Sequence, residues 1–166
     1  MFELLPIFAI SFFGIFLNVW FFMMTFENLS ASILPKSKQA RRLPKVSVLI
    51  PAHNEAANIG KTLRSVFRLD YPKEKLEVIV VDNASTDNTA EIAGSFPRAR
   101  VLKISQKGKP VALERGFELS SGEVIGILDA DTVVSRNVLR KMVGHFGDPK
   151  IGAVTNLITV DSKRNL

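Results

Sequence analysis

The chain has 166 residues, a length that accommodates one ordinary globular domain and little more. Hydrophobic residues make up 46% of it and cysteine is absent, which excludes disulfides and cysteine-based zinc sites and fits a reducing compartment. The net charge of +6 divides into −2 before residue 30, +5 from there to Lys45 and +3 from Val46 onward. Most of the basic excess therefore precedes the predicted domain, whereas a nucleic-acid-binding protein is expected to carry it as a patch on the folded domain.

An uncharged apolar segment runs from Leu4 to Phe26. As a helix, these 23 residues would extend roughly 34 Å, and the hydrocarbon core of a bilayer is about 30 Å thick. We therefore expect one transmembrane helix over residues 4–26. The alternatives are an ordinary buried helix and a cleaved signal peptide. The length of the run and the presence of Glu3, with no Lys or Arg before it, argue against the signal peptide.

A basic linker, residues 27–45, follows the apolar segment. After Glu27 it contains no acidic residue and five basic ones: Lys36, Lys38, Arg41, Arg42 and Lys45. Basic residues beside a membrane span tend to stay on the cytoplasmic side, and they are attracted to anionic lipid headgroups. We therefore expect a single-pass protein of the cell membrane whose following domain lies in the cytoplasm.

From Val46 onward, short apolar runs alternate with segments of helical spacing. Runs rich in β-branched residues predict strands at Val46–Pro51, Leu76–Val81, Arg100–Ile104, Val124–Leu128 and, as the start of a fifth, Ile151–Val160. Apolar residues at helical spacing predict helices over residues 58–67, 87–93, 111–119 and 135–146. This alternation is typical of an α/β domain with a doubly wound, mostly parallel sheet, which we assign to residues 46–166. Ligands of such sheets bind at the carboxyl ends of the strands.

The predicted fourth strand leads into Asp129-Ala130-Asp131. In an extended segment, residues two apart project to the same side, so the two carboxylates would point together. Like charges repel at close range unless a cation lies between them, and oxygen ligands of this kind suit Mg²⁺ or Mn²⁺. The tripeptide therefore predicts a metal site at Asp129 and Asp131. A solvated turn, with Asp131 as a local cap, is the structural alternative.

Two further polar clusters follow the first and second strands. The segment 51–55, Pro-Ala-His-Asn-Glu, lacks the Gly-x-Gly-x-x-Gly pattern of a dinucleotide-binding turn. Its Asn54 and Glu55 suit either the edge of a nucleobase or the first turn of the next helix, and we expect His53 to matter less. Asp82 suits hydrogen bonds from a base or a ribose. The polar residues after it are equally suited to shaping the loop: Asn83, Ser85, Thr86 and Asp87.

A basic loop, Gln106-Lys107-Gly108-Lys109-Pro110, precedes the third predicted helix. A lysine beside the N-terminus of a helix suits an anionic diphosphate, and a solvated loop is the alternative. Because this loop and the acidic clusters all fall at the ends of successive strands, we expect them to form one site.

These motifs resemble those of the family 2 glycosyltransferases, polysaccharide synthases and dolichyl-phosphate sugar synthases with the Rossmann-like GT-A fold. The resemblance is carried by residues 51–55, 80–87, 107–109 and 129–131, and it extends from about Val46 to the end of the chain. It implies a membrane-anchored inverting enzyme that transfers a sugar from a nucleoside-diphosphate donor, usually UDP-linked, to a lipid or glycan acceptor.

The resemblance also implies roles for single residues. The implied donor-binding residues contact the base, the ribose or the diphosphate: Pro51, Ala52, Asn54, Glu55, Asp82, Lys109 and Asp129. The implied ligands of a Mg²⁺ or Mn²⁺ ion are Asp129 and Asp131.

Two features depart from the family pattern. Glu114 stands where Asn is usual, which weakens any role for it as a ligand. The general base of the family, an Asp in a Glu-Asp motif, has no counterpart after Asp131, and the Gln-x-x-Arg-Trp of processive members is also absent, since the only Trp is Trp20. We therefore expect the chain to be the donor-binding part of a longer enzyme, with the catalytic base beyond Leu166.

Three functional hypotheses follow. The first is the donor-binding portion of a glycosyltransferase. The second, motivated by the missing base, is a module that binds the nucleotide sugar without transferring it. The third is a membrane-tethered sugar nucleotidyltransferase, which would carry a Gly-rich basic phosphate loop directly after the first strand, where this chain reads Ala52-His53-Asn54-Glu55.

Overall fold

The computed structural model describes residues 12–25 and 42–155. Residues 12–25 form a helix, α1, whose large apolar side chains are all exposed. Within the described ranges, no helix combines the length and the apolar character needed to cross a membrane. The predicted span 4–26 and the predicted linker 27–45 both extend outside these ranges.

The chain divides into two compact units, Met1–Lys36 and Ser37–Leu166, and the second contains the sheet. The described part of this unit has four strands, all parallel: β1 (Val46–Ala52), β2 (Leu76–Asn83), β3 (Ala99–Ile104) and β4 (Val124–Ile127). Their order is β3-β2-β1-β4. All four therefore end at one edge of the sheet, which we call the carboxyl edge.

A helix follows each of the four described strands. These helices are α2 (Ile59–Phe67), α3 (Thr89–Gly94), α4 (Lys109–Leu119) and α5 (Val138–Val143), with 3-10 turns at Lys73–Lys75 and Gly144–Gly147. The first of them shows why these segments are helical: Ile59, Leu63 and Val66 recur on one face, and all three are fully buried.

The two faces of the sheet are covered by different helices. One face packs against α2 and α3 through Val46, Val48, Ile50, Val78, Val80, Ile59, Leu63, Val66 and Ala93. The other packs against α4 through Leu49, Ile79, Val81 and Ala112. Each fully buried Leu, Ile or Val contributes roughly 1.5–3 kcal/mol relative to an exposed one. Helices on both faces of a parallel sheet confirm the predicted doubly wound α/β class.

The structure differs from the prediction after β4. The predicted helix 135–146 is shorter: α5 begins at Val138, and Gly144–Gly147 continues as a 3-10 turn. In the predicted strand Ile151–Val160, residues 151–155 have no strand structure, and the remainder lies outside the described residues. The physical reason is local, since Asp148 accepts hydrogen bonds from the backbone N–H groups of Lys150 and Ile151 and so extends the turn.

The strand order reverses between β1 and β4. From β1 the chain proceeds outward to β2 and β3, and then crosses back to place β4 on the opposite side of β1. In open parallel sheets this reversal leaves a crevice at the carboxyl edge where ligands bind. The loops that follow β1 and β4 flank this crevice.

Candidate functional site

A pocket of about 260 Å³ lies at the reversal of the strand order. Its walls come from the end of β1 and the loop after it, the last residue of β2, the first residue of α4 and the loop after β4: Pro51, Ala52, His53, Glu55, Asn83, Lys109, Asp129, Ala130 and Asp131. Four segments that are far apart in the sequence therefore meet at the carboxyl edge, as predicted for one site.

The two aspartates of the pocket come from a turn rather than from an extended strand. β4 ends at Ile127, and the N–H of Thr132 donates to the Asp129 carbonyl at 3.1 Å to close the turn. Ala130 is buried, and its carbonyl accepts a 2.7 Å hydrogen bond from the Thr62 hydroxyl of α2. Because Ala130 faces inward, Asp129 and Asp131 on either side of it are exposed and both line the pocket.

Lys109 reaches across the pocket to one of these carboxylates. Its Nζ atom is 2.5 Å from Oδ1 of Asp129. The preceding residue, Gly108, has a φ of +137°, a conformation that favours glycine, and its N–H donates to Oδ1 of the buried Asn83 at 3.1 Å. The end of β2 thus fixes the start of α4 and with it the position of Lys109.

His53 is also fixed by the end of β2. Its Nδ1 atom lies 2.7 Å from the backbone oxygen of Asn83. Because a carbonyl only accepts, Nδ1 is the donor in this contact. The only described polar neighbour of Nε2 is the side-chain amide of Asn54, at 3.5 Å.

Asn54 joins the loop after β1 to the loop after β2. It has a φ of +56°, which Asn adopts more readily than most residues. Its N–H donates to the Ser85 hydroxyl at 3.0 Å, and its Oδ1 accepts from the Thr86 N–H at 2.8 Å. Both contacts consolidate the loops, and Asn54 is not among the pocket-lining residues.

Glu55 and Asp87 complete the junction of these loops. The N–H of Glu55 donates to the Thr89 hydroxyl at 2.8 Å, while its carboxylate accepts from the side chain of Asn58 at 2.9 Å. Asp87 accepts from the hydroxyl and the N–H of Thr89 and from the N–H of Ala56. Hydrogen bonding from the Thr89 hydroxyl, reinforced by the two N–H groups, lowers the pKa of Asp87. Asp87 therefore has the loop-shaping geometry that the sequence offered as one alternative.

Asp82 lies at the carboxyl edge but beneath the pocket surface. It is the next-to-last residue of β2, in register with Ala52 of β1, and only 5% of it is exposed. Its Oδ1 atom is enclosed and has no hydrogen-bond partner among the described residues. A buried oxygen without a partner costs about 1–3 kcal/mol unless a water or a ligand satisfies it.

The structure brings most of the predicted site residues together. Six of the predicted residues line the pocket: Pro51, Ala52, Glu55, Lys109, Asp129 and Asp131. Asp82 lies on the neighbouring strand below them, and Asn54 turns toward the loop after β2. His53 also lines the pocket, and the expectation that it matters less stays a prediction. The sequence offered Asn83 only as a residue that shapes its own loop; its contact with Gly108 spans 25 residues, and no local pattern signals it.

A divalent cation suits the donor set of this pocket. Among residues 12–25 and 42–155, no group of three or more His, Cys, Asp or Glu side chains is arranged to hold a metal ion. Asp129 and Asp131 nevertheless offer two exposed carboxylates on one pocket wall. Mg²⁺ is commonly held by one or two carboxylates together with waters and substrate phosphates. The residues therefore fit an ion that shares its coordination with a bound phosphate.

The fold and the pocket agree with a sequence family of sugar-transferring enzymes. Residues 47–166 match the family described as Glycosyl transferase family 2. The match covers well over half of the chain, and the chain belongs to this family.

Individual relatives are consistent with this membership. The chain is 40% identical over 147 residues to a probable glycosyltransferase, YdaM, of Bacillus subtilis, which covers 82% of this chain and 34% of that protein. It is 32% identical over 166 residues to the poly-beta-1,6-N-acetyl-D-glucosamine synthase of Staphylococcus epidermidis, covering 97% of this chain and 39% of the synthase. The chain thus spans between a third and two fifths of these relatives.

A solved structure shares the fold. The mannosyltransferase PcManGT of Pyrobaculum calidifontis, in complex with GDP-Man and Mn²⁺, is 35% identical and superposes with a TM-score of 0.65. The superposition covers 70% of this chain and 36% of PcManGT. The four-stranded parallel sheet is therefore of the GT-A type found in this glycosyltransferase.

Proposed function

We propose that this chain is the donor-binding portion of an inverting glycosyltransferase that uses a nucleoside-diphosphate sugar. The observation that carries the proposal is the arrangement at the carboxyl edge, where a buried carboxylate with an unpaired oxygen lies beside a pocket lined by one lysine and two aspartates. The buried carboxylate suits a nucleobase, and the pocket with its lysine and two aspartates suits a diphosphate with its cation.

The base would lie over the ends of β1 and β2. Pro51 and Ala52 supply an apolar wall there, and the carboxylate of Asp82, in register with Ala52, would accept an N–H of the base. Asn54 and Glu55 would act mainly by holding the loop, since their side chains contact Thr86 and Asn58. A uracil base, and hence a UDP-linked donor, is our proposal. Because PcManGT contains GDP-Man, the measurement below includes both nucleotides.

The diphosphate would lie between Lys109 and the aspartate turn. Lys109 would leave Asp129 and contact a phosphate, and Asp129 and Asp131 would hold a Mg²⁺ or Mn²⁺ ion, which supplies positive charge to the leaving diphosphate. The Mn²⁺ in the PcManGT complex supports this assignment. The start of α4 adds the N–H groups of a helix N-terminus to the same side of the pocket.

Transfer would invert the anomeric carbon. An acceptor hydroxyl on a lipid or glycan, deprotonated by a general base, would attack from the face opposite the diphosphate. Because the sequence has no Glu-Asp motif after Asp131, we propose that the base lies beyond Leu166. A chain that binds donor without transferring sugar is the second candidate. It is favoured over transfer if the purified chain binds the nucleotide but forms no glycosylated or hydrolysed product.

The decisive experiment is titration calorimetry of UDP and GDP in the presence of Mn²⁺. We expect binding of at least one nucleotide by the chain and an affinity at least tenfold lower for Asp131→Asn, because a metal ligand is lost. The matched control is Glu91→Gln, which removes one exposed negative charge on α3, away from the pocket. Equal affinities for the Asp131→Asn variant and the unsubstituted chain would overturn the metal assignment.

We also propose that the N-terminal apolar segment attaches the chain to the cell membrane, with the α/β domain on the cytoplasmic side. The exposed apolar surface of α1, including Phe12 and Trp20, supports this attachment. The chain has no native cysteine, so a Glu91→Cys variant carries one unique thiol. We expect it to remain with membranes after alkaline extraction and to react with an impermeant maleimide only once the cells are opened. Labelling of intact cells would contradict the orientation.

A further inference from the structure

A second hollow, unrelated to the pocket at the carboxyl edge, lies between α2 and the segment that follows the aspartate turn. Its volume is about 770 Å³. Four basic residues line it, with no acidic residue among the lining: Lys61, Arg64, Arg68 and Arg136. Its apolar lining consists of Phe67, Leu69, Val133 and Val134. We call this surface the basic hollow.

The cations of the basic hollow are not neutralised by any residue in the described part of the domain. All four are exposed, and none forms an ion pair with a described residue. The nearest acidic residue in the sequence, Asp70, is already paired with Arg140 at 3.1 Å. A further cation, Arg98, lies 5.0 Å above the ring of Phe67 and adds to the same positive field.

The basic hollow is held in shape by hydrogen bonds. Lys61, Arg64 and Arg68 recur at intervals of three and four residues, so they lie along one side of α2 and its end. The opposite wall is tied to α2 because the N–H of Val134 donates to the Ser65 hydroxyl at 3.1 Å, and the N–H of Asp70 donates to the Arg136 carbonyl at 2.8 Å. The positive surface is therefore a fixed feature of the domain.

We propose that the basic hollow docks the domain onto the anionic surface of a lipid bilayer. The three cations of α2 extend over roughly 10 Å of helix, a spacing that matches several headgroup phosphates better than one small anion. Val133, which is 66% exposed among these cations, adds an apolar side chain suited to the interfacial region. The inference goes beyond donor binding, and it uses the proposed membrane attachment only to bring the domain close to lipid.

The absence of native cysteine permits a direct test with the full chain. Val133→Cys places a single environment-sensitive fluorophore in the basic hollow, and Glu114→Cys places the same probe on α4, which covers the opposite face of the sheet. Each labelled chain is mixed with vesicles of phosphatidylcholine alone or of phosphatidylcholine with phosphatidylglycerol. With the anionic vesicles, we expect the fluorescence emission of the probe at position 133 to shift to the blue and to be quenched by spin-labelled lipid. We expect neither effect at position 114, and neither with the neutral vesicles.

The contribution of the cations is tested by substitution and by salt. Replacing the four basic residues of the hollow by Gln should abolish the signal at position 133. Each cation at an anionic surface changes the ratio of docked to undocked domain roughly fivefold. The matched control replaces four other exposed lysines by Gln: Lys73, Lys103, Lys141 and Lys150. High salt should reverse docking of the chain with all its cations in place, which tests the inference even if the fourfold variant fails to fold.

Three results would overturn the inference. They are an equal shift with neutral and anionic vesicles, no shift with either, and displacement of the probe signal by millimolar inorganic phosphate or by RNA at constant ionic strength. None of these depends on nucleotide affinity, so failure of docking and failure of donor binding are distinguishable.

Discussion

Lys109 and Asp129 form an ion pair across the pocket, with Nζ 2.5 Å from Oδ1, although 20 residues separate them in the sequence. Both side chains are 57% exposed, and ion pairs of this exposure contribute little to stability. The pair places a fixed positive charge beside two carboxylates that would otherwise repel each other. A divalent cation held by Asp129, as proposed, would therefore compete with Lys109 for the same oxygen.

Replacing Lys109 by Met is expected to change two affinities in opposite directions. Binding of Mn²⁺ to the nucleotide-free chain should strengthen roughly three- to tenfold, because a competing cation is removed. Binding of the nucleoside diphosphate should weaken at least tenfold, because a phosphate partner is lost. Electron paramagnetic resonance of free Mn²⁺ and calorimetry measure the two. Arg115→Met, which removes an exposed ion pair of α4 distant from the pocket, is the control and should change neither.

Asp82→Asn is expected to stabilise the nucleotide-free chain while weakening nucleotide binding. An amide is less costly to bury without a partner than a carboxylate, so the free energy of unfolding should rise by about 1 kcal/mol. Nucleotide affinity should fall at least tenfold if the Asp82 carboxylate accepts an N–H of the base. Thermal unfolding without ligand and calorimetry with it measure the two effects. Asp87→Asn, at a carboxylate that accepts three hydrogen bonds, should instead lower stability. A loss of stability in Asp82→Asn would contradict this account.

The sequence was sufficient to predict the sheet and the edge that holds the site. β1 and β2 are buried on both faces, so the sequence of each is a short run of mostly apolar residues. The polar residue that ends such a run marks the carboxyl edge. Asp82 and Asp129 were found in this way. Local patterns of this kind need no knowledge of distant contacts.

The detailed shape of the pocket could not be predicted, because it depends on contacts between distant segments. The Thr62 hydroxyl that holds the Ala130 carbonyl is 68 residues away, and Asn83 reaches Gly108 across 25 residues. Asn54 illustrates the same limit, since its side chain is committed to Thr86 on another loop. Residue type alone does not distinguish a ligand-binding amide from one that shapes a loop.

Glu77 should make the stability of the domain depend on pH. Burial tends to raise the pKa of this carboxyl, but hydrogen bonds from Ser47 and Ser121, with the charge of Lys45, hold the pKa below its ordinary value. A lowered pKa in the folded state contributes stability above the ordinary carboxyl value of about 4.3, and this contribution is lost as the pH falls below it.

Glu77→Gln tests this dependence. At pH 7 the variant should be less stable by about 1 kcal/mol, because a charge-assisted hydrogen bond is replaced by neutral ones. The difference should shrink as the pH falls toward 4, because the unfolded chain takes up a proton at the ordinary carboxyl value of about 4.3 while the lowered pKa keeps folded Glu77 ionised. Urea unfolding at several pH values measures it, with Glu91→Gln as the exposed control. A difference that is constant from pH 7 to pH 4 would falsify the assignment of the pH effect to Glu77.

Gly122→Ala is expected to be the most destabilising single-methyl addition in the described part of the domain. A Cβ atom at Gly122 would lie 2.5 Å from the backbone nitrogen of Ser47 and 2.9 Å from the Val124 carbonyl oxygen. Neither backbone atom can move without disturbing the first residues of β1 and β4, which pair with each other. The displacement would also break the hydrogen bond from the Gly122 N–H to the Ser47 hydroxyl, 2.8 Å long.

Overpacking of this kind costs about 1–3 kcal/mol, and the backbone contact places Gly122→Ala at the upper end of that range. Urea unfolding should show a lower midpoint with an unchanged dependence on denaturant concentration. Gly94→Ala is the matched control, because a Cβ atom there meets nothing within 4 Å and the residue ends α3 with ordinary backbone angles. It should be neutral or slightly stabilising, since alanine restricts the unfolded chain. Equal midpoints for the two variants would mean that the start of β4 can move away from Ser47, and the close contact at Gly122 would then not be a constraint on the sheet.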